Sequence, residues 1–319
     1  MFEKLGLPAF VREGRRNTAG AMPPARTLLR FLLVYFIASL LEGFLLTPFL
    51  VTALLSDDAF WQLASGGTEQ YEALMAYTEG LINTSALVQV GTLIATAALA
   101  FAALVLYRRM ERRSYPSMGL RRRGGGRALS EGLLLSLVSL VALFLFGTAL
   151  RGFSFAGVGH VKLPALIAIL LGIFVKALSE ELLFRGALMT SLARTGSLRS
   201  AVVVSAVAFA FLQRANAGVS VLAFVNLFLF GLVLALIMVR SGSLWGSVAL
   251  HTAFLAGNAL LLGSPLYGMP ALTSLFALNL GEEQMFLHGG DFGLMGGFAA
   301  TFALSLALVL LGMRKTKEE

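Results

Sequence analysis

The chain has 319 residues, 57% of them hydrophobic and 13% charged, with 25 Lys and Arg against 17 Asp and Glu. Its mean hydropathy is +0.82. So little charge does not cover a soluble domain of this size, and the apolar residues lie in blocks near the roughly 20 residues that one bilayer crossing needs. The absence of Cys excludes disulfides, thiolate nucleophiles and Cys-ligated metals.

Residues 1–27 are polar, carry Lys4, Arg12, Arg15, Arg16 and Arg26, and hold no apolar core ending in a small-residue cleavage site. They are expected to form a cytoplasmic segment ahead of an uncleaved first span at 28–55. Further spans are predicted at 84–107, 129–150, 163–193, 199–213, 221–240, 244–263 and 294–313, followed by a tail at 314–319. The pattern predicts an all-α polytopic integral membrane protein of about eight transmembrane helices, with 28–313 as one domain.

The net charge of +8 is distributed by side rather than by patch. Arg108, Arg109, Arg112, Arg113, Arg121, Arg122, Arg123 and Arg127 lie between the second and third spans. The connection 56–83 holds Asp57, Asp58, Glu69, Glu72 and Glu79 with no Lys or Arg. Basic loops kept on the cytoplasmic side explain this, so a nucleic-acid partner is not expected. An even number of crossings returns the C-terminus to the cytoplasm, where Arg314, Lys315 and Lys317 fit; Glu282, Glu283 and Asp291 lie in the last external loop. The expected setting is the plasma membrane of a prokaryote, with bilayer lipid as a constant partner.

Two connections are long. Residues 56–83 are expected to hold a short amphipathic helix around 71–76, and Gly289, Gly290, Gly293, Gly296 and Gly297 imply a tight loop entering the last helix. The short fifth span is expected to stop partway through the bilayer near Gln213, which is tolerated only where its end is buried in protein or faces water. Arg214 and Asn216 follow it, either lining a site or capping the helix.

The fourth span reads Ser179-Glu180-Glu181-Leu182-Leu183-Phe184-Arg185-Gly186. A helix continuing to 193 places both carboxylates at depth, where ionisable groups are costly and by default functional. At about 100° per residue Glu180, Glu181 and Arg185 share one face, and Glu181 and Arg185 are spaced for an intrahelical ion pair. That leaves Glu180 less neutralised and available as a general base. The alternative is a helix end at the membrane surface with solvated charges. His251 lies inside the seventh span, as a structural hydrogen-bonding group, a proton shuttle, a metal ligand or an oxyanion donor. Glu42 in the first span reads as a packing or interhelical bonding group, and His160 and His288 lie in external loops with no role assigned.

Glu180-Glu181-x-x-x-Arg185 in one helix, Phe209-Ala210-Phe211-Leu212-Gln213 in the next, Asn226 through Gly231 beyond it, and Arg240 through Trp245 leading to His251 resemble the CPBP family of intramembrane proteases. This family is also called the Abi or CAAX-protease family. The resemblance covers roughly 160–300. It implies amide hydrolysis in a membrane cavity, with a peptide or membrane protein as substrate; separately, no cofactor is expected. By resemblance Glu180 is the general base, His251 the oxyanion donor, and Glu181 and Arg185 hold Glu180 in place.

The sequence departs from the family pattern twice. Gln213 stands where the pattern has His, and an amide takes no proton at neutral pH. Leu255 stands where it has Asn; Asn258 lies on nearly the same face but about 10 Å along the axis, too far without a distorted helix. The leading expectation is thus a glutamate-dependent peptidase of altered strength, with catalytic residues Glu180, Glu181, Arg185, Gln213 and His251. The alternatives are a non-catalytic scaffold or immunity protein of the same fold and, further off, a proton-coupled transporter. With one His replaced by Gln no tightly bound metal is expected.

Overall fold

A computed structural model describes residues 7–16, 20–213 and 219–313. Lys4, Arg214, Asn216, Arg314, Lys315 and Lys317 lie outside the described residues. The chain opens with a short amphipathic helix α1 (Ala9–Arg16) and a long helix α2 (Pro24–Leu55) that begins on Pro24. Proline is well tolerated there because its missing N–H has no intrahelical partner in the first turn. Helices α3 (Asp58–Ala64) and α4 (Tyr71–Thr84) fill the following connection, so the helix expected there is longer than the sequence pattern suggested.

The helical span α5 (Ala86–Met110) and helix α6 (Gly125–Ala149) come next, then a strand β1 (Phe153–Val158). The central helix α7 runs through 163–195, with Leu182–Met189 wound as π-helix. Helices α8 (Leu198–Leu212), α9 (Val221–Ser241) and α10 (Leu244–Leu261) follow, with Gly257–Leu261 of α10 again π-helical. A strand β2 (Phe276–Leu280), a single turn α11 (Met285–His288) and helix α12 (Phe298–Met313) complete the described chain. Serines cap α8, α9 and α10: Ser197 accepts from the Ser200 N–H, Ser220 from Ala223 and Ser243 from Trp245. Each satisfies one otherwise orphaned donor of a first turn.

Five of these helices are long and apolar enough to cross a membrane: α2, α5, α6, α9 and α10; α8 and α12 are shorter apolar helices. Together with α7 they make the all-α polytopic architecture that hydropathy predicts. One feature was not legible: β1 and β2 pair antiparallel into a ribbon, with Phe153 opposite Leu280 and Val158 opposite Phe276. Both strands are too short for a period-two pattern to stand out. The last helix begins at Phe298 rather than 294, because Gly293 (φ +87°) belongs to the turns before it.

The helices divide into a lipid-facing shell and a buried axis. Leu29, Leu32, Leu33, Phe36, Leu40 and Phe44 of α2 are exposed, as hydrocarbon contact requires. In contrast every residue of α7 from Ser179 to Arg194 is buried. Glu180 lies near the middle of α7, so its carboxylate sits at depth and not at a helix end. Helix α8, of 15 residues, spans only about 22 Å and ends at the Gln213 cap, short of a full crossing.

Helices α6 and α10 approach each other closely at Gly132. A Cβ at Gly132 would overlap the Gly246 carbonyl oxygen and press on Ala249. Gly132→Val is therefore expected to lower the thermal unfolding midpoint in detergent, by the equivalent of roughly 1–3 kcal/mol of overpacking or more. An unchanged midpoint would rule out this packing.

Candidate active site

Four helices converge on the middle of α7. Glu180 Oε1 accepts a hydrogen bond from Gln213 Nε2 at 2.7 Å, and the Lys176 ammonium pairs with the same oxygen from one turn earlier in α7. Because α8 stops at Leu212, the Gln213 side chain reaches Glu180 inside the bundle. Lys176 also lies over the Tyr267 ring, 5.4 Å from its centroid. Glu42 of α2 is within electrostatic range of both Lys176 and Glu180, so the first span borders the site.

Glu181 faces a second set of partners. Its Oε1 lies 2.9 Å from Arg185 Nη1 and 2.9 Å from His251 Nδ1. As the ion-pair partner of Arg185, Glu181 is a carboxylate that only accepts, so Nδ1 of His251 is the donor. That leaves Nε2 as the free ring nitrogen, with a lone pair when the ring is neutral. Arg185 Nη2 donates to the Gly231 carbonyl at 3.1 Å, and its guanidinium stacks 4.6 Å from the Phe209 centroid. Gly231 also lets α9 pack closely on α8, since a Cβ there would press on the Ala206 backbone. Phe230 sets its ring edge-on to His251 at 5.1 Å.

The two halves meet at one gap. His251 Nε2 and Glu180 Oε2 stand 3.6 Å apart, and among the described residues neither atom has a hydrogen-bond partner. These are the two atoms to which a water admitted to the gap would donate. The polar groups are otherwise sealed by apolar side chains, which strengthens every electrostatic interaction in the gap.

The structure thus brings Glu180, Glu181, Arg185, Gln213 and His251 together. It reassigns two of their connections, however: Glu181 and Arg185 position His251, while Lys176 and Gln213 hold Glu180. Lys176 is the participant that sequence reasoning missed. Its signal was present, a lone cation inside an apolar helix four residues before Glu180, the spacing of an intrahelical pair. Tyr267 and Phe230 carried no comparable signal. Leu255 is buried and supplies no polar group. Asn258 sits in the π-helical end of α10, but its amide nitrogen donates to Phe254 O at 2.8 Å. Asn226 is likewise committed, donating to Met295 O and Gly297 O and accepting from Thr301. His288 bonds the Gly281 carbonyl within its own loop, and His160 is exposed.

No group of three or more His, Cys, Asp or Glu side chains among the described residues is placed to hold a metal ion.

Residues 162–256, which carry all of these site side chains except Glu42 and Tyr267, match the family model described as type II CAAX prenyl endopeptidase Rce1-like. Over that segment, under a third of its length, the chain is similar to the CPBP, or CAAX-protease, family. Neither the curated proteins nor the solved structures yield a match to it. The match supports a CAAX-type intramembrane protease at the level of the family alone, and the long apolar helices support an integral membrane protein. The matched segment places α7, α8, α9 and most of α10 around the gap, with α2, α5, α6 and α12 completing the bundle.

Proposed function

We propose that this protein hydrolyses a peptide bond inside the membrane with a water activated between Glu180 and His251. The observation that carries the reading is the pair of unpartnered acceptor atoms, Glu180 Oε2 and His251 Nε2, facing each other at 3.6 Å. A water donating to both keeps its lone pair free for a substrate carbonyl. As the C–O bond forms, an O–H bond breaks and Glu180 Oε2 takes the proton. Collapse of the tetrahedral intermediate then breaks the C–N bond, and the leaving nitrogen takes that proton from Glu180. His251, held by Glu181 and Arg185, orients the water instead of serving first as an oxyanion donor.

Lys176 supplies what the altered positions lack. Gln213 fixes Glu180 Oε1 but takes no proton, and Leu255 offers no donor. The Lys176 ammonium is the positive charge beside the reacting centre, suited to an oxyanion in a water-poor cavity. The matched family's description names a prenyl endopeptidase. Peptide-bond cleavage is the part carried over here, because no residue of the site speaks to a prenyl group.

One observation favours a second reading. The Lys176–Glu180 pair neutralises the carboxylate, which suits a non-catalytic relative that keeps the fold for binding. The full chain in liposomes, incubated with a peptide library that includes prenylated and plain C-terminal peptides, separates the two by mass spectrometry of products. Defined cleavage products are expected. Gln213→His, which adds a second proton acceptor beside Glu180, should raise their rate by about tenfold or more. Absence of products from both forms would overturn the peptidase reading in favour of the binding one.

A further inference from the structure

Residues 262–275, between α10 and β2, pack into the protein rather than over it: Ser264, Leu266, Tyr267 and Thr273 are all buried. Buried backbone has to find its hydrogen bonds inside the molecule. The Ser264 N–H donates to Asn258 O at 2.9 Å, and Gln89 Nε2 of α5 donates to Pro270 O at 2.9 Å. Leu266 and Met269 exchange both of their backbone bonds, at 2.8 and 3.1 Å, and close a two-residue turn over Tyr267 and Gly268.

Two costs fall on Tyr267. Both central residues of the turn have positive φ, +53° for Tyr267 and +87° for Gly268. Glycine takes that conformation freely, whereas an aromatic residue is strained in it. The Tyr267 hydroxyl is also buried with no hydrogen-bond partner among the described residues, and an orphaned buried hydroxyl is destabilising. Strained backbone and unpaired polar groups held in place by their surroundings collect at functional sites.

The neighbours of the ring identify the site it serves. The Lys176 ammonium lies 5.4 Å from the ring centroid and is itself paired with Glu180 Oε1. Glu180, Arg185 and Glu181 are all within electrostatic range of the phenol. Phe292 packs on the same ring, centroid to centroid at 5.4 Å. The amide donors nearby are already engaged, Gln213 with Glu180 and Asn258 with Phe254 O. A phenol keeps its proton at neutral pH, so beside two carboxylates its use is to donate.

We infer that Tyr267 is a further catalytic residue, its hydroxyl donating to the carbonyl oxygen of the scissile peptide bond as that oxygen gains negative charge. The inference rests on the peptidase reading above. The hydrogen bond tightens as water adds and relaxes as the C–N bond breaks; no bond to Tyr267 forms or breaks, and its proton stays on the phenol. Beside the Lys176 charge it is the neutral donor that Leu255 does not supply. Tyr267 lies outside the matched segment 162–256, so the donor comes from the connection that follows it.

The test compares the full chain in liposomes with Tyr267→Phe and Glu180→Gln, on a peptide that the wild type cleaves. Tyr267→Phe keeps the ring against Phe292 and Lys176 and removes only the hydroxyl. Its kcat is expected to fall about 10²–10³-fold with KM within a few-fold. The thermal unfolding midpoint should hold or rise, since the orphaned group is gone. A peptide aldehyde, whose hydrate presents a tetrahedral carbon, gives a second readout: its inhibition constant should rise in step with the loss of kcat/KM. Cleavage by Tyr267→Phe within threefold of the wild type, an unmoved inhibition constant, or a midpoint that falls with the rate would overturn the role of Tyr267 and leave the peptidase reading standing. No products from the wild type would overturn both.

Discussion

Glu180→Gln is expected to lower the cleavage rate at saturating peptide by about 10²–10⁴-fold, the usual contribution of a positioned general base. The substitution keeps the side chain's length and its ability to accept from Lys176 and Gln213 at the Oε1 position. What it removes is the lone pair facing His251, where an amide nitrogen now donates instead of accepting. A water in the gap then has only one acceptor to orient it and no carboxylate to take its proton. The loss should fall on kcat with KM changed by a few-fold at most, because the carboxylate acts on the transition state rather than on substrate binding. Lys176 also loses its counter-charge, so the unfolding midpoint has to be measured beside the rate. A variant that stays folded and cleaves within threefold of the wild type would sink the assignment.

Arg185→Met should carry the largest stability cost of any single substitution in the site, about 3–5 kcal/mol. Arg185 and Glu181 are both fully buried and paired at 2.9 Å. Removing the cation strands Glu181 in the bundle interior, takes the side-chain donor from the Gly231 carbonyl and takes the guanidinium from the face of Phe209. Denaturant unfolding in detergent micelles reads the effect directly. Adding Glu181→Gln to the same chain should recover part of the loss, since the stranded charge is then gone; such non-additivity is the signature of a coupled pair. A single-variant loss below about 1 kcal/mol would show instead that the ion pair contributes little. Activity should fall as well, because Glu181 without Arg185 no longer holds His251 in one orientation.

Much of this protein was legible without coordinates. Hydropathy placed the eight helices within a few residues, since a bilayer crossing demands apolar length whatever the neighbours are. The carboxylates of Glu180 and Glu181 stood out because charge inside an apolar run has few harmless explanations. The spacing of Glu181 and Arg185 announced their pair, because a helix brings residues four apart together on its own.

Contacts between helices were a different matter. That His251 belongs to Glu181 and not to Glu180 depends on how α10 rotates against α7, which no local pattern encodes. Gln213 reaches Glu180 because α8 ends early and tilts its last residue inward. A corner built by Glu111, Arg113 and Arg194 is assembled from segments some 80 residues apart and looked in the sequence like one more topological cluster of basic residues. The β ribbon joins strands more than 100 residues apart with too few residues each to show a period. By itself the sequence determined the class, the approximate placement of the apolar helices and the chemical identity of the Glu180-Glu181 pair, because composition and helical spacing act locally. Only the tertiary structure decided which partner each carboxylate has, since that is set by the packing of helices distant in the chain.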